Sequence, residues 1–103
     1  NSFVHETESQ LILNGSYNIN FTMDLILKDT GLFNNLAKKL KASLEISPKI
    51  VNIFKDGQKK YGSRAWSSMI VKRMEDLNNI DFRAQGFPEE LIDYEPEEKG
   101  YEI

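Results

Sequence analysis

The chain has no cysteine and a single histidine, His5. The first absence excludes a disulfide framework and any thiolate metal site. The second argues against a histidine-rich metal centre or a local Ser-His-Asp arrangement, and His5 reads as a surface or boundary residue. No apolar run approaches the roughly 18 residues of a membrane span, and no signal-peptide pattern is visible. A soluble, cytoplasmic protein that neither crosses nor binds a membrane is therefore expected. Neither G-x-G-x-x-G nor G-x-x-x-x-G-K-[ST] occurs, so the chain does not hold a complete nucleotide site by itself. No two carboxylates are spaced persuasively for glycosidase-type chemistry. The first residue is Asn1, so a trimmed product or a piece of a longer protein is expected.

What is present is mostly helical pattern, in 103 residues with a net charge of −3. The charge is unevenly spread. Residues 1–78 are mildly basic, whereas residues 79–103 carry 2 basic and 8 acidic side chains. Such an acidic end argues against nucleic acid as its partner. The sequence divides accordingly into a helical part, 1–78, and an acidic extended tail, 79–103.

The longest helical pattern runs from Phe21 to Leu40 and organises the rest. At about 100° per residue from Leu25, the apolar positions Leu32, Leu25, Leu36, Leu40, Phe33, Ile26 and Ala37 span an arc from about 340° to about 120°. Asp29 falls inside that arc and Lys28 on its edge. A carboxylate on a buried face is costly unless paired or hydrogen-bonded, so Asp29 should have a compensating partner. Thr22 is a plausible N-cap, Asp24 suits the first turn, and Lys38, Lys39 and Lys41 suit the last turn of a solvated helix end. Gly31 weakens the helix and allows another group to approach it closely.

Three further helices flank this one. Residues 3–13 form a moderate stripe that Asn14-Gly15 ends with a residue at positive φ. Ser47-Pro48 signals a start, with Ser47 as cap and Pro48 at the first helical position. That helix carries Ile50, Ile53, Phe54, Gly57 and Tyr61 on one face, and Gly57 suggests either a tight crossing or flexibility. A fourth helix opens at Ser63 or Arg64 and reaches about Leu77, with Trp66, Met69, Ile70, Met74 and Leu77 as a core stripe. Asn78-Asn79 ends it. The tail beyond is punctuated by Phe82, Phe87, Tyr94 and Tyr101, with a possible helical turn at Pro88–Ile92. It reads either as an arm lying on another surface or as a frayed terminus.

The run Tyr17-x-x-x-Phe21-x-x-Asp24-Leu25-x-x-Lys28-Asp29-x-Gly31-Leu32 resembles the C-terminal domain of the β-hydroxyacid dehydrogenases, the family of 3-hydroxyisobutyrate dehydrogenase. The helix order of residues 3–77 follows that domain's layout. Thr30-Gly31 departs from the aliphatic continuation expected there, and 79–103 lies beyond the family core. The resemblance implies an all-α, four-helix array of the 6-phosphogluconate dehydrogenase C-terminal type. It implies a missing N-terminal Rossmann domain that binds NAD or NADP, a homo-oligomer, and a small hydroxyacid substrate. Lys28 would reach the cofactor, while Phe21 and Asp29 would line or support the cleft. The family's catalytic lysine has no counterpart here, so this chain alone would be inactive. Without the resemblance, an ion pair or cap within the domain is the favoured explanation of Lys28 and Asp29. The other function class is a non-enzymatic helical interaction module that binds a partner through the face of Trp66 and Met69.

Overall fold

Four α-helices account for the regular structure of the computed structural model, which describes residues 2–90 and 100: α1 Phe3–Asn14, α2 Met23–Lys39, α3 Ser47–Tyr61 and α4 Lys72–Asn78. A 3-10 turn, Ser67–Val71, runs directly into α4. Among the described residues there is no strand, only an isolated antiparallel bridge between Thr22 and Trp66.

The helix ends follow local chemistry. The Ser2 hydroxyl accepts the His5 N–H at the start of α1, and Gly15 closes the helix in the left-handed region at φ 91°, with its N–H bonded back to Leu11 and Ile12 carbonyls. Thr22 has the extended backbone of an N-cap, but its hydroxyl is drawn to the Asp24 carboxylate instead of a free amide. The first amides of α2 find carbonyls elsewhere: Met23 N–H on Ala65 at 2.8 Å and Asp24 N–H on Ser63 at 3.0 Å. α3 starts one residue earlier than its Ser-Pro signal suggests. Ile46 takes the cap position and Pro48 sits in the first turn, which frees the Ser47 hydroxyl to donate to Asn34 of α2 at 2.7 Å.

α2 and α3 pack on each other, and the 3-10 turn packs against α1 and α3. Leu11 and Met23 are completely buried at the centre, which contributes about 1.5–3 kcal/mol each. Gly57 marks a tight crossing: a Cβ there would lie 2.9 Å from Ile70 Cδ1 and 3.1 Å from Met23 Cε. That resolves the choice between crossing and flexibility at this glycine.

Besides the Ser47 cap, two larger expectations fail. The fourth helix does not begin at residue 63 or 64, because Trp66 is extended and the chain enters α4 through the tighter 3-10 turn. The altered rotation turns Met74 and Leu77 to solvent and buries Glu75 in their place. Most of the apolar arc of α2 is not buried either; only Ala37, at its edge, is. Leu32, Phe33, Leu36 and Leu40 are 53–70% exposed and Leu25 is 39% exposed, because α3 packs on the opposite side of the helix, where Leu27 and Asn34 lie. Asp29 is exposed with them, so it needs no buried partner.

The first part of the tail is bonded to the body of the fold. Residues 80–90 lie on the C-terminal end of α1: Ala84 N–H bonds to Leu13 at 3.0 Å, Asn14 Nδ2 to the Phe87 carbonyl at 2.9 Å, and Ser16 Oγ to the Glu89 carbonyl at 2.7 Å. Pro88–Glu90 is not helical. The remainder of the proposed Pro88–Ile92 turn, with Tyr94 and Tyr101, lies outside the described residues. The arm is anchored by Glu75, whose side chain is fully buried. Its carboxylate accepts from the Tyr17 hydroxyl, from Phe82 N–H at 3.1 Å and from Arg83 Nη1 at 3.0 Å. Burial alone pushes this carboxyl up, but the three donors outweigh burial and hold it below the usual glutamate value. Tyr17, buried and donating to that carboxylate, is pushed up to about 12.

Candidate functional site

The cavity that receives Lys28 follows from how α2 turns. Leu27, Gly31 and Lys38 recur at i, i+4 and i+11, which places them on one stripe beside α3. Across from them stand Val51 and Lys55 of α3, and the α2–α3 connection closes one end with Ala42 and Leu44. The resulting open cleft has a volume of about 620 Å³. Gly31 has no atom within 4 Å of where its Cβ would be, so it widens the cleft without admitting a neighbour.

The floor is apolar and the rim is cationic. Lys28, Lys38 and Lys55 surround the cleft, and no ion pair among the described residues engages them. Asp24, also on the rim, is already committed: the Thr22 hydroxyl and then Arg64, at 3.1 Å, hold its carboxyl below the usual aspartate value. Asn34, Asn35 and Asn52 add amide donors and acceptors. Such a rim around an apolar floor suits an anion with an apolar body. It contains no nucleophile paired with a base, and no group of three metal-ligating side chains occurs among the described residues.

The three residues singled out in the sequence are thus separated. Lys28 is exposed on the rim of the cleft. Phe21 is half-buried ahead of α2 and does not line the cleft; its carbonyl accepts Ser67 N–H at 2.7 Å, tying the start of α2 to the 3-10 turn. Asp29 lies a third of a turn from Lys28, on the outer apolar face. Neither Lys38 nor Lys55 is marked as a rim residue by the sequence: Lys38 is explained by the dipole at the end of α2, and Lys55, in the middle of α3, belongs to no motif. The i, i+4, i+11 spacing with Leu27 and Gly31 was the available signal for Lys38. Trp66 and Met69 are half-buried within the fold. No helix among the described residues is long and apolar enough to cross a membrane. Neither family models, nor curated proteins, nor solved structures match the chain.

Proposed function

We propose that the chain is the helical substrate and dimerisation domain of an NAD(P)-dependent 3-hydroxyacid dehydrogenase of the 3-hydroxyisobutyrate type, with the four-helix array of the 6-phosphogluconate dehydrogenase C-terminal class. The observation that carries the proposal is the position of Lys28. The lysine of the Lys-Asp motif stands, unpaired among the described residues, at the rim of an open cationic cleft with an apolar floor.

The residues present fit a dinucleotide cofactor. Such a molecule is anionic at its phosphates and flat and weakly polar at its reactive ring, which matches ammonium groups around an apolar floor. When bound, the cofactor supplies the hydride acceptor or donor, and it is held chiefly by a Rossmann domain not included in these residues. Lys28 fixes the cofactor's anionic portion from the opposite wall, with its alkyl stem packed along the cleft. Lys38 and Lys55 raise the local concentration of a carboxylate substrate. Phe21 fixes the start of α2, and with it the aim of Lys28 one helical segment later. Asp29 supports the same helix from its outer side. The acid/base lysine of the reaction belongs to the preceding segment.

A protein-interaction module is the second reading, and one observation favours it: the exposed apolar face of α2. The surface is then that face and not the half-buried Trp66 and Met69.

The deciding experiment reads the coding sequence upstream of Asn1 and assays the protein it encodes. A G-x-G-x-x-G opening a βαβ unit, with NAD(P)-dependent oxidation of 3-hydroxyacids by the full protein, supports the enzyme. An initiation codon immediately before Asn1 overturns it.

A further inference from the structure

The outer face of α2 carries a pattern that the cleft does not use. Leu25, Asp29, Leu32, Leu36 and Lys39 are separated by 4, 3, 4 and 3 residues and fall within a band of about 80°. This is the seam spacing of a two-helix packing, and all five residues are exposed. Nothing among the described residues covers them, and neither charged member has an ion-pair partner there. The stripe is therefore a leucine seam interrupted by one acid and one base.

The order of those five residues selects the occupant. When a second copy of α2 lies antiparallel, the seam can be aligned so that Leu32 faces Leu36 of the second copy and Asp29 faces its Lys39. Two-fold symmetry then repeats both contacts, which gives two leucine layers at the centre flanked by two opposite-charge pairs. Other alignments are penalised. A parallel, in-register pair sets Asp29 against Asp29 and Lys39 against Lys39. An antiparallel pair slipped by one heptad sets Asp29 against Leu32, which buries a carboxylate on an apolar side chain. The face is thus self-complementary in one arrangement and unfavourable in its neighbours, as a specific seam must be.

We infer that α2 is a homodimerisation helix, pairing antiparallel with α2 of a second copy through Leu32–Leu36 layers and reciprocal Asp29–Lys39 ion pairs. The inference deepens the dimerisation part of the proposed function and is argued from the exposed face; the dehydrogenase activity can be absent without affecting it. It also gives the misplaced carboxylate of the apolar arc a purpose: Asp29 sets orientation and register.

The test is sedimentation equilibrium of the 103-residue chain and of charge variants, with circular dichroism as a check on helix content. The wild-type chain is expected to dimerise at concentrations on the order of 100 µM. Asp29→Lys and Lys39→Asp should each weaken self-association by roughly ten-fold or more, since two attractions become two repulsions. The double variant Asp29→Lys/Lys39→Asp should restore it. An equimolar mixture of the two single variants should form a heterodimer, because acid then meets base at both ends. Because both side chains are exposed, helix content should be unchanged throughout. A wild-type chain that stays monomeric over that range overturns the inference. So does a dimer that the single charge reversals leave intact, or single variants that fail to pair when mixed.

Discussion

Replacing Arg83 with methionine tests the anchoring of the arm. The guanidinium donates to Glu75 Oε2 at 3.0 Å and to the Tyr17 hydroxyl at 3.0 Å, and it stacks 5.2 Å from the centre of the Tyr17 ring. Methionine keeps most of the stem's packing and removes every donor. Stripping one partner from a buried ion pair costs about 3–5 kcal/mol when the survivor is left uncompensated. Two facts reduce that figure here. Glu75 keeps the Tyr17 hydroxyl and Phe82 N–H, and the Arg83 side chain is 36% exposed, which screens the interaction. A destabilisation of about 1.5–3 kcal/mol at neutral pH is expected. Urea unfolding followed by helical circular dichroism and by Trp66 fluorescence measures it. The pH dependence gives a second signature. The Glu75 carboxyl lies lower in the folded chain than in the unfolded one, so its contribution is complete above the unfolded value of about 4.3 and is lost as pH falls through the folded value. In Arg83→Met the carboxylate has lost a donor, and protonating it relieves its burial. The gap between wild type and variant should therefore be widest at neutral pH and narrow as acid is added. Glu75→Gln should flatten the same acid limb. A gap below about 0.5 kcal/mol at neutral pH, or one that does not change with pH, would refute the reasoning.

Other substitutions separate the remaining features. Gly31→Ala places a methyl in open space within a helix and should stabilise the chain by up to about 1 kcal/mol, read as a rise in Tm. Gly57→Ala should gain much less than that, because its Cβ must displace the ends of Ile70 and Met23; Gly57→Leu should destabilise by about 1–3 kcal/mol or more. In the proposed full-length dehydrogenase, Lys28→Ala should raise the cofactor KM by about ten-fold or more while leaving Tm nearly unchanged, and unaltered kinetics would remove Lys28 from the proposed site. The 103-residue chain alone should show no dehydrogenase activity, and calorimetry that finds micromolar NAD affinity for it would contradict a site shared with a second domain.

Much of the helical plan could be read from short-range chemistry. Asn14-Gly15 ends α1 and Pro48 marks the first turn of α3, though Ser47 is not its cap, because positive-φ residues and a first-turn proline act within a turn of where they stand. The face that α2 buries could not be read in this way. Its helix carries two apolar surfaces, and the denser one, with Leu25, Leu32 and Leu36, is the one that α3 leaves free. Periodicity identifies a stripe but not its partner. Glu75 escaped for a related reason. Counted at helical rotation from Trp66 it points about 180° away from the stripe, yet the 3-10 turn resets the rotation and brings it inside. For the cleft, Lys28 emerged from a motif, whereas Lys38 and Lys55 become rim residues only once α2 and α3 are laid side by side.

The arm over α1 has a kinetic consequence. Its long-range bonds join residues 66 to 73 positions apart in sequence, from Arg83–Tyr17 to Asn14–Phe87 and Ser16–Glu89. Closing a loop of that size is entropically costly early, so the α2–α3 hairpin should assemble first and the arm should dock late. In the native protein the reverse process is the cheapest large opening. The amides of Phe82 and Ala84 should exchange with solvent together and ahead of those in the middle of α3. Each such opening exposes a charged Glu75, so the arm acts as a latch whose release admits water to the centre of the fold.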